Sequence, residues 1–179
     1  MFYTTEYPSP VGLITIAAHQ EKLVGLWIKN QKYFGETVTQ VLIRNANLPI
    51  FNHTQKWLDN YFAGKSPSTN QLALAPSGSE FRQIVWQILC QIPYGHIITY
   101  GEIAKQVAQK MNKIRMSAQA IGGAVGHNPI SIIIPCHRVV GSDGNLTGYA
   151  GGIDTKIQLL TLEGVNLKQL HKPKQSTAP

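Results

Sequence analysis

Cys136 and His137 stand side by side behind Pro135, at the end of the apolar run 130–134. A thiol beside an imidazole is the minimum kit for a sulfur nucleophile. A free thiol with a pKa near ~8.5 is only a few per cent thiolate at pH 7, and a neighbouring base raises that fraction. Residues 130–134 read as a buried strand. Pro135 biases Ile134 toward an extended backbone and interrupts the ladder, so Cys136 is expected to open a turn at the strand end. Such ends commonly present reactive groups. Neighbours on a regular strand face opposite sides, so thiol and imidazole cooperate only where the backbone bends or a water joins them. An inert buried cysteine beside a hydrogen-bonded histidine is the bland reading; the proline, the strand end and the acid-free surroundings weigh against it. A cysteine hydrolase stays open as a rival, needing an oxyanion hole besides a reachable base.

The other cysteine, Cys90, falls on an apolar helical face and reads as a small buried hydrophobe. With two cysteines and no Cys-x-x-Cys or His-x-x-x-His spacing, the reading expects no metal, no cofactor and no disulfide framework. Residues 148–152 form a turn-prone segment around Tyr149, suited to a loop over a pocket. Lys156 and Glu163 follow on a helix with Ile157, Leu159, Leu160 and Leu162; by themselves they read as two solvated charges.

The elements that must position these groups fall in two halves. Residues 2–7, 12–18 and 23–28 read as strands, with turns at Pro8-Ser9-Pro10 and at residues 19–22. A helix is expected over residues 51–62, with Trp57, Leu58, Tyr61 and Phe62 on or beside one face and Gly64 at its end. The Ser-, Pro-, Thr- and Gly-rich stretch 65–78 reads as a linker, dividing the chain into domains 1–78 and 79–170, with 171–179 a tail expected to fray.

Ser79 caps the next helix, on which Phe81, Ile84, Val85, Ile88 and Leu89 recur at helical spacing. An extended piece at 97–100 leads into a helix over 101–109. A polar, basic connection, 110–116, leads to a second cap, Ser117, and a short helix over 118–125, closed by Gly126 and stopped by Pro129. Two helices so joined suggest a helix-turn-helix. The second is rich in Ala118, Ala120, Gly122, Gly123 and Ala124, which fits either tight packing or close approach to a DNA groove.

Charge favours DNA. The 179 residues carry a formal net charge of +7 and a pI near 9.5. No acidic residue lies between Glu102 and Asp143, where Lys105, Lys110, Lys113, Arg115 and Arg138 fall. Such a stretch does not repel phosphates. No apolar run approaches the ~20 residues of a membrane span, and residues 1–10 lack the basic start and apolar core of a secretory signal. The reading expects a cytoplasmic chain.

Together, Ile134-Pro135-Cys136-His137-Arg138-Val139-Val140, the preceding GHNPISII, and the following TGYAGG and LEG resemble the O6-alkylguanine-DNA alkyltransferases, most strongly over residues 81–164. The resemblance implies an α+β fold: a small N-terminal antiparallel sheet with a helix, ribonuclease H-like, and a mostly helical C-terminal domain with a helix-turn-helix. It implies irreversible, single-turnover transfer of an alkyl group from O6-alkylguanine in double-stranded DNA, with O4-alkylthymine a further candidate, by a monomer that flips the base through the minor groove. Cys136 would be the nucleophile, deprotonated through a water by His137, with Glu163 orienting His137. Asn128 would tie the DNA-reading helix to the cysteine turn, and Tyr100 and Lys156 would help the departing guanine take a proton. Tyr149 and Ala150 would wall the base pocket, and the carbonyls of Cys136 and Val139 would read the guanine edge. Ser117, Ala118, Gln119, Ala120, Gly122 and Gly123, with Arg115 and Arg138, would meet DNA. Gln119 stands where most relatives place an arginine, and Ala150 where some place a serine. A helix-turn-helix protein that binds the lesion without reacting is the alternative, and the presence of Cys136 speaks for a reactive protein.

Overall fold

The computed structural model describes residues 1–173. Strands β1 (Phe2–Ser9), β2 (Gly12–His19) and β3 (Lys22–Ile28) form an antiparallel meander. Alternation sends Ile14, Ile16 and Ala18 into the main core, while Ala17, Val24 and Trp27 pack on the opposite face. A fourth strand, β4 (Leu42–Arg44), adds in parallel beside β1, giving the order β3-β2-β1-β4. The sequence reading lacked it. Three residues carry too little alternation to be recognised.

Helix α1 (Pro49–Phe62) begins two residues earlier than expected, with proline at its first position, where a missing N–H costs nothing. It ends as expected: Gly64 takes φ 77°, and the N–H groups of Gly64 and Lys65 return to the carbonyls of Tyr61 and Asn60. Trp57, Leu58 and Tyr61 are buried. A chain of turns containing a 3-10 segment (Thr69–Gln71) then leads to α2 (Glu80–Leu89). Ser79 caps α2, its Oγ accepting from Arg82 N; such a cap is worth about 1 kcal/mol.

Strand β5 (Ile98–Thr99) leads straight into α3 (Tyr100–Lys110), closed at its start by a reciprocal cap between Thr99 and Glu102. Helix α4 (Ala118–Gly126) follows the loop 111–117 and is capped by Ser117 as read. Its other end differs: helical backbone runs through Gly126 to His127, whose φ is −90°, so no left-handed glycine closes it. Strand β6 (Val139–Val140) pairs in parallel with β5, and α5 (Ile153–Leu162) closes the fold.

One core runs through both halves, joining Ile16, Leu26 and Trp57 to Trp86, Ile88, Ile134 and Cys136. The first residues of the tail 171–179 contact the fold. His171 bridges Asn145, and Lys172 Nζ lies 2.6 Å from Asp154 Oδ1. Lys174 and the rest of that tail, 174–179, lie outside the described residues.

Candidate active site

The apolar run before Cys136 is buried but is not a strand. Ile130 makes a single parallel bridge to Leu26. The chain then turns twice: Ile133 N–H donates to Ser131 O (2.8 Å), and Cys136 N–H donates to Ile134 O (2.8 Å). Burial on all sides, rather than sheet pairing, makes the run apolar, and periodicity cannot separate the two. Ile132 sits at φ 71°, an outlier for a β-branched residue that costs on the order of 1–3 kcal/mol and persists only where its surroundings hold it. Pro135, at φ −81° and ψ 62°, makes the second bend, and a 3-10 turn, Cys136–Arg138, follows. Turning, not a strand end, presents the thiol.

Cys136 is 4 % exposed. Asn128, just beyond α4, fixes it: Nδ2 donates to Cys136 Sγ (3.1 Å) and Ile134 O (2.8 Å), while Oδ1 accepts from Ile130 N. Burial pushes the Cys136 thiol up, opposed by the Asn128 hydrogen bond and the Lys156 charge. The thiol therefore needs a base.

His137 is fully buried. Its Nε2 lies 2.6 Å from Glu163 Oε1, and its Nδ1 has no hydrogen-bond partner among the described residues. Burial pushes the imidazole down, toward the neutral form. Glu163, read from sequence as solvated, caps α5 and is 5 % exposed. Burial pushes its carboxyl up, yet hydrogen bonds and charge from His137 and Arg138 outweigh this and hold it at about 2. The anion accepts from Nε2–H, leaving the Nδ1 lone pair as the available base.

Arg138 departs from its expected place on a DNA surface. Its side chain is 9 % exposed and binds Glu163 through Nε (2.9 Å) and Nη2 (3.0 Å), with Nη1 donating to Ile92 O. A buried carboxylate demands a partner, and the fork of Arg138 supplies it.

Pairing of β5 with β6 brings Tyr100 alongside the cysteine turn. Tyr100 Oη donates to Thr147 O (3.0 Å), and Lys156 Nζ donates to the same carbonyl (3.2 Å) and to Val139 O. Lys156 is wholly buried, correcting its solvated reading, and burial pushes it down to about 8. The Val139 carbonyl expected to read guanine is thus engaged by Lys156. Tyr149 is buried, packs edge-on to His137 with ring centroids 6.4 Å apart, and leaves its Oη without a partner among the described residues. Gly148 takes φ 85°, and a Cβ there would collide with Tyr100 Oη.

On α4 and the loop before it, Arg115, Ser117, Ala118, Gln119, Ala120 and Gly123 are exposed and Gly122 is half-buried. Lys105, Lys110 and Lys113 are exposed as well.

A family model described as 6-O-methylguanine DNA methyltransferase, DNA binding domain, matches residues 80–165; one described as 6-O-methylguanine DNA methyltransferase, ribonuclease-like domain, matches residues 1–76. A methylated-DNA–protein-cysteine methyltransferase of Haemophilus influenzae is 37% identical over 99% of this chain and 93% of its own. The chain belongs to this methyltransferase family. A second relative of that name, from Methanosarcina barkeri, is 41% identical and covers 89% of this methyltransferase and 96% of its own chain. Among solved structures, Mycobacterium tuberculosis OGT in complex with DNA is 39% identical, with a TM-score of 0.75 over 90% of this chain and 91% of that one.

Sequence reasoning missed part of the candidate site. Tyr61 Oη, from α1, donates to Glu163 Oε1 (2.7 Å), and Gly95 N–H donates to Oε2 (3.1 Å). From sequence Tyr61 reads as part of a core face, and nothing there signals a partner 102 residues away. Cys90 is half-buried, with its thiol pushed up to about 11 by burial.

Proposed function

We propose that this methyltransferase repairs DNA by direct reversal, moving an alkyl group from guanine O6 to Cys136 Sγ. The observation that carries the reading is the buried thiol beside a buried imidazole whose Nε2 is committed to Glu163 and whose Nδ1 has no partner among the described residues. His137 Nδ1, through a water, takes the thiol proton. Sγ attacks the alkyl carbon, an S–C bond forms, the C–O6 bond breaks, and its electron pair leaves on the guanine. Lys156 and Tyr100, sharing the Thr147 carbonyl, assist protonation of that anion. The product is a thioether, no group in the site cleaves it, and one turnover per molecule follows.

A carbon stacked inside a duplex is out of reach, so the nucleotide is flipped out at a cost of a few kcal/mol. The exposed small-residue face of α4, entered from the cationic loop holding Lys113 and Arg115, suits the minor groove, and α3 with α4 serves as the helix-turn-helix. Tyr149 and Ala150 wall the base pocket, where the Cys136 carbonyl meets the guanine edge, while the Val139 carbonyl holds Lys156. The protein acts as a monomer in the cytoplasm. No helix among the described residues is long and apolar enough to cross a membrane.

Intact-protein mass spectrometry after incubation with a duplex containing one O6-methylguanine tests the reading. One added methyl that maps to Cys136, at no more than one equivalent, is expected. Tight binding without a mass change would replace it with the non-reactive lesion-binding protein; repeated turnover would point to a hydrolase.

A further inference from the structure

The loop between β3 and β4 reaches Ser131 before the cysteine turn, Ala150 and the end of α4 from the first half of the chain. Gln31 Oε1 accepts from Ser131 Oγ (3.0 Å) and from Ile28 N (2.8 Å), anchoring the loop beside the cysteine turn. Lys32 N–H donates to Ala150 O (3.0 Å). The Tyr33 ring stacks on His127 with centroids 3.9 Å apart and planes at 23°. His127 is itself tied to the last turn of α4 through Nδ1 and Gly123 O (2.7 Å), and the Glu36 carboxylate lies 3.8 Å from its Nε2.

Three residues of this loop sit in the left-handed region, and only at Tyr33 is that uncommon. Asn30, Tyr33 and Gly35 take φ of 66°, 60° and 70°. A left-handed tyrosine is uncommon and persists where its contacts over-determine it. Tyr33 is nevertheless 47 % exposed, so the contact that holds it is the face of His127 rather than the core.

We propose that residues 31–36 are a clasp that limits how far the Tyr149–Ala150 wall can yield, and thereby the size of the alkyl group the protein accepts. The inference rests on reading that wall as one side of the base pocket. The clasp is fixed at α4 and at Ser131, and it holds Ala150 by its main chain. A methyl group enters without moving the wall. A benzyl group needs room for a ring, which the wall provides only by drawing away from Lys32. Loosening Tyr33 therefore favours the larger group selectively.

The test compares wild type with Tyr33→Asn, which tolerates the left-handed backbone but lacks the ring, and with Tyr33→Phe, which keeps the stack. Single-turnover rates are measured on duplexes carrying O6-methylguanine or O6-benzylguanine. An aromatic pair of this kind is worth about a threefold to tenfold shift in an equilibrium. The benzyl-to-methyl rate ratio is expected to rise by that factor in Tyr33→Asn and to stay at the wild-type value in Tyr33→Phe. A ratio in Tyr33→Asn equal to wild type overturns the clasp. Should wild type transfer neither group, the alkyl-transfer reading fails, and amide hydrogen exchange over residues 148–152 decides the clasp by itself. Faster exchange there in Tyr33→Asn supports it; unchanged exchange overturns it.

Discussion

His137 Nε2 lies 2.6 Å from Glu163 Oε1, and both side chains are wholly shielded from solvent. The pair fixes a tautomer. Arg138 and Tyr61 keep the carboxylate an acceptor, so the imidazole donates from Nε2 and keeps Nδ1 basic.

Glu163→Gln breaks that arrangement, because a carboxamide can donate to Nε2 and move the ring proton to Nδ1. Alkyl transfer in Glu163→Gln is expected to slow by about 10²–10⁴, measured as single-turnover loss of O6-methylguanine. Tyr61→Phe removes one donor and leaves the tautomer in place, so its loss is smaller. A rate for Glu163→Gln within a few-fold of wild type would break the link between tautomer and reactivity.

Arg138 gives a prediction opposite to its sequence reading. Arg138→Met leaves a buried carboxylate unpaired and is expected to lower stability by about 3–5 kcal/mol, seen as a depressed Tm. Among molecules still folded at low temperature, the salt dependence of DNA affinity should match wild type. A shallower salt slope would return Arg138 to the DNA surface.

These two residues show what was legible in the chain. Caps at Ser79 and Ser117 and the meander rest on local patterns within a few residues, and they stand in the structure. Charge from sequence carries no depth: taken alone Lys156 and Glu163 read as solvated, only the family resemblance puts them in the site, and Arg138 reads as a DNA contact, yet each is at most 7 % exposed. The turn at 130–134 was read as a strand because burial and pairing leave the same apolar signature. Tyr61 joins the site only through folding of α1 against the second half.

Lys156 sets a pH dependence. Burial pushes it from 10.5 to about 8, so the ammonium is present at neutrality and is lost as pH rises through about 8. Transfer is expected to fall above that pH, and Lys156→Met should be slower and flat across it. The sign for stability is the reverse. Between about 8 and 10.5 the unfolded chain holds a proton the folded chain has released, so this group adds stability as pH climbs. Falling activity without unfolding identifies Lys156; coincident loss of both would point to alkaline denaturation instead.

Gln119, exposed on the first turn of α4, brings no charge to DNA. Gln119→Arg is expected to tighten duplex binding and to steepen the dependence of log K on log salt by about 1. Titrations across salt concentrations check it. Unchanged affinity and unchanged repair rate would mean that the cationic loop 110–115 already supplies what an arginine would add.

The core that joins Ile16 and Leu26 to Ile134 and Cys136 makes the first half more than a companion to the second. The Cys136 sulfur is braced in part by the sheet of the first half. Cooperative melting follows: signals from Trp27 and Trp57 in the first half and from Trp86 in the second should vanish together in a single transition. A change that loosens the meander is therefore felt at a thiol more than a hundred residues further along the chain.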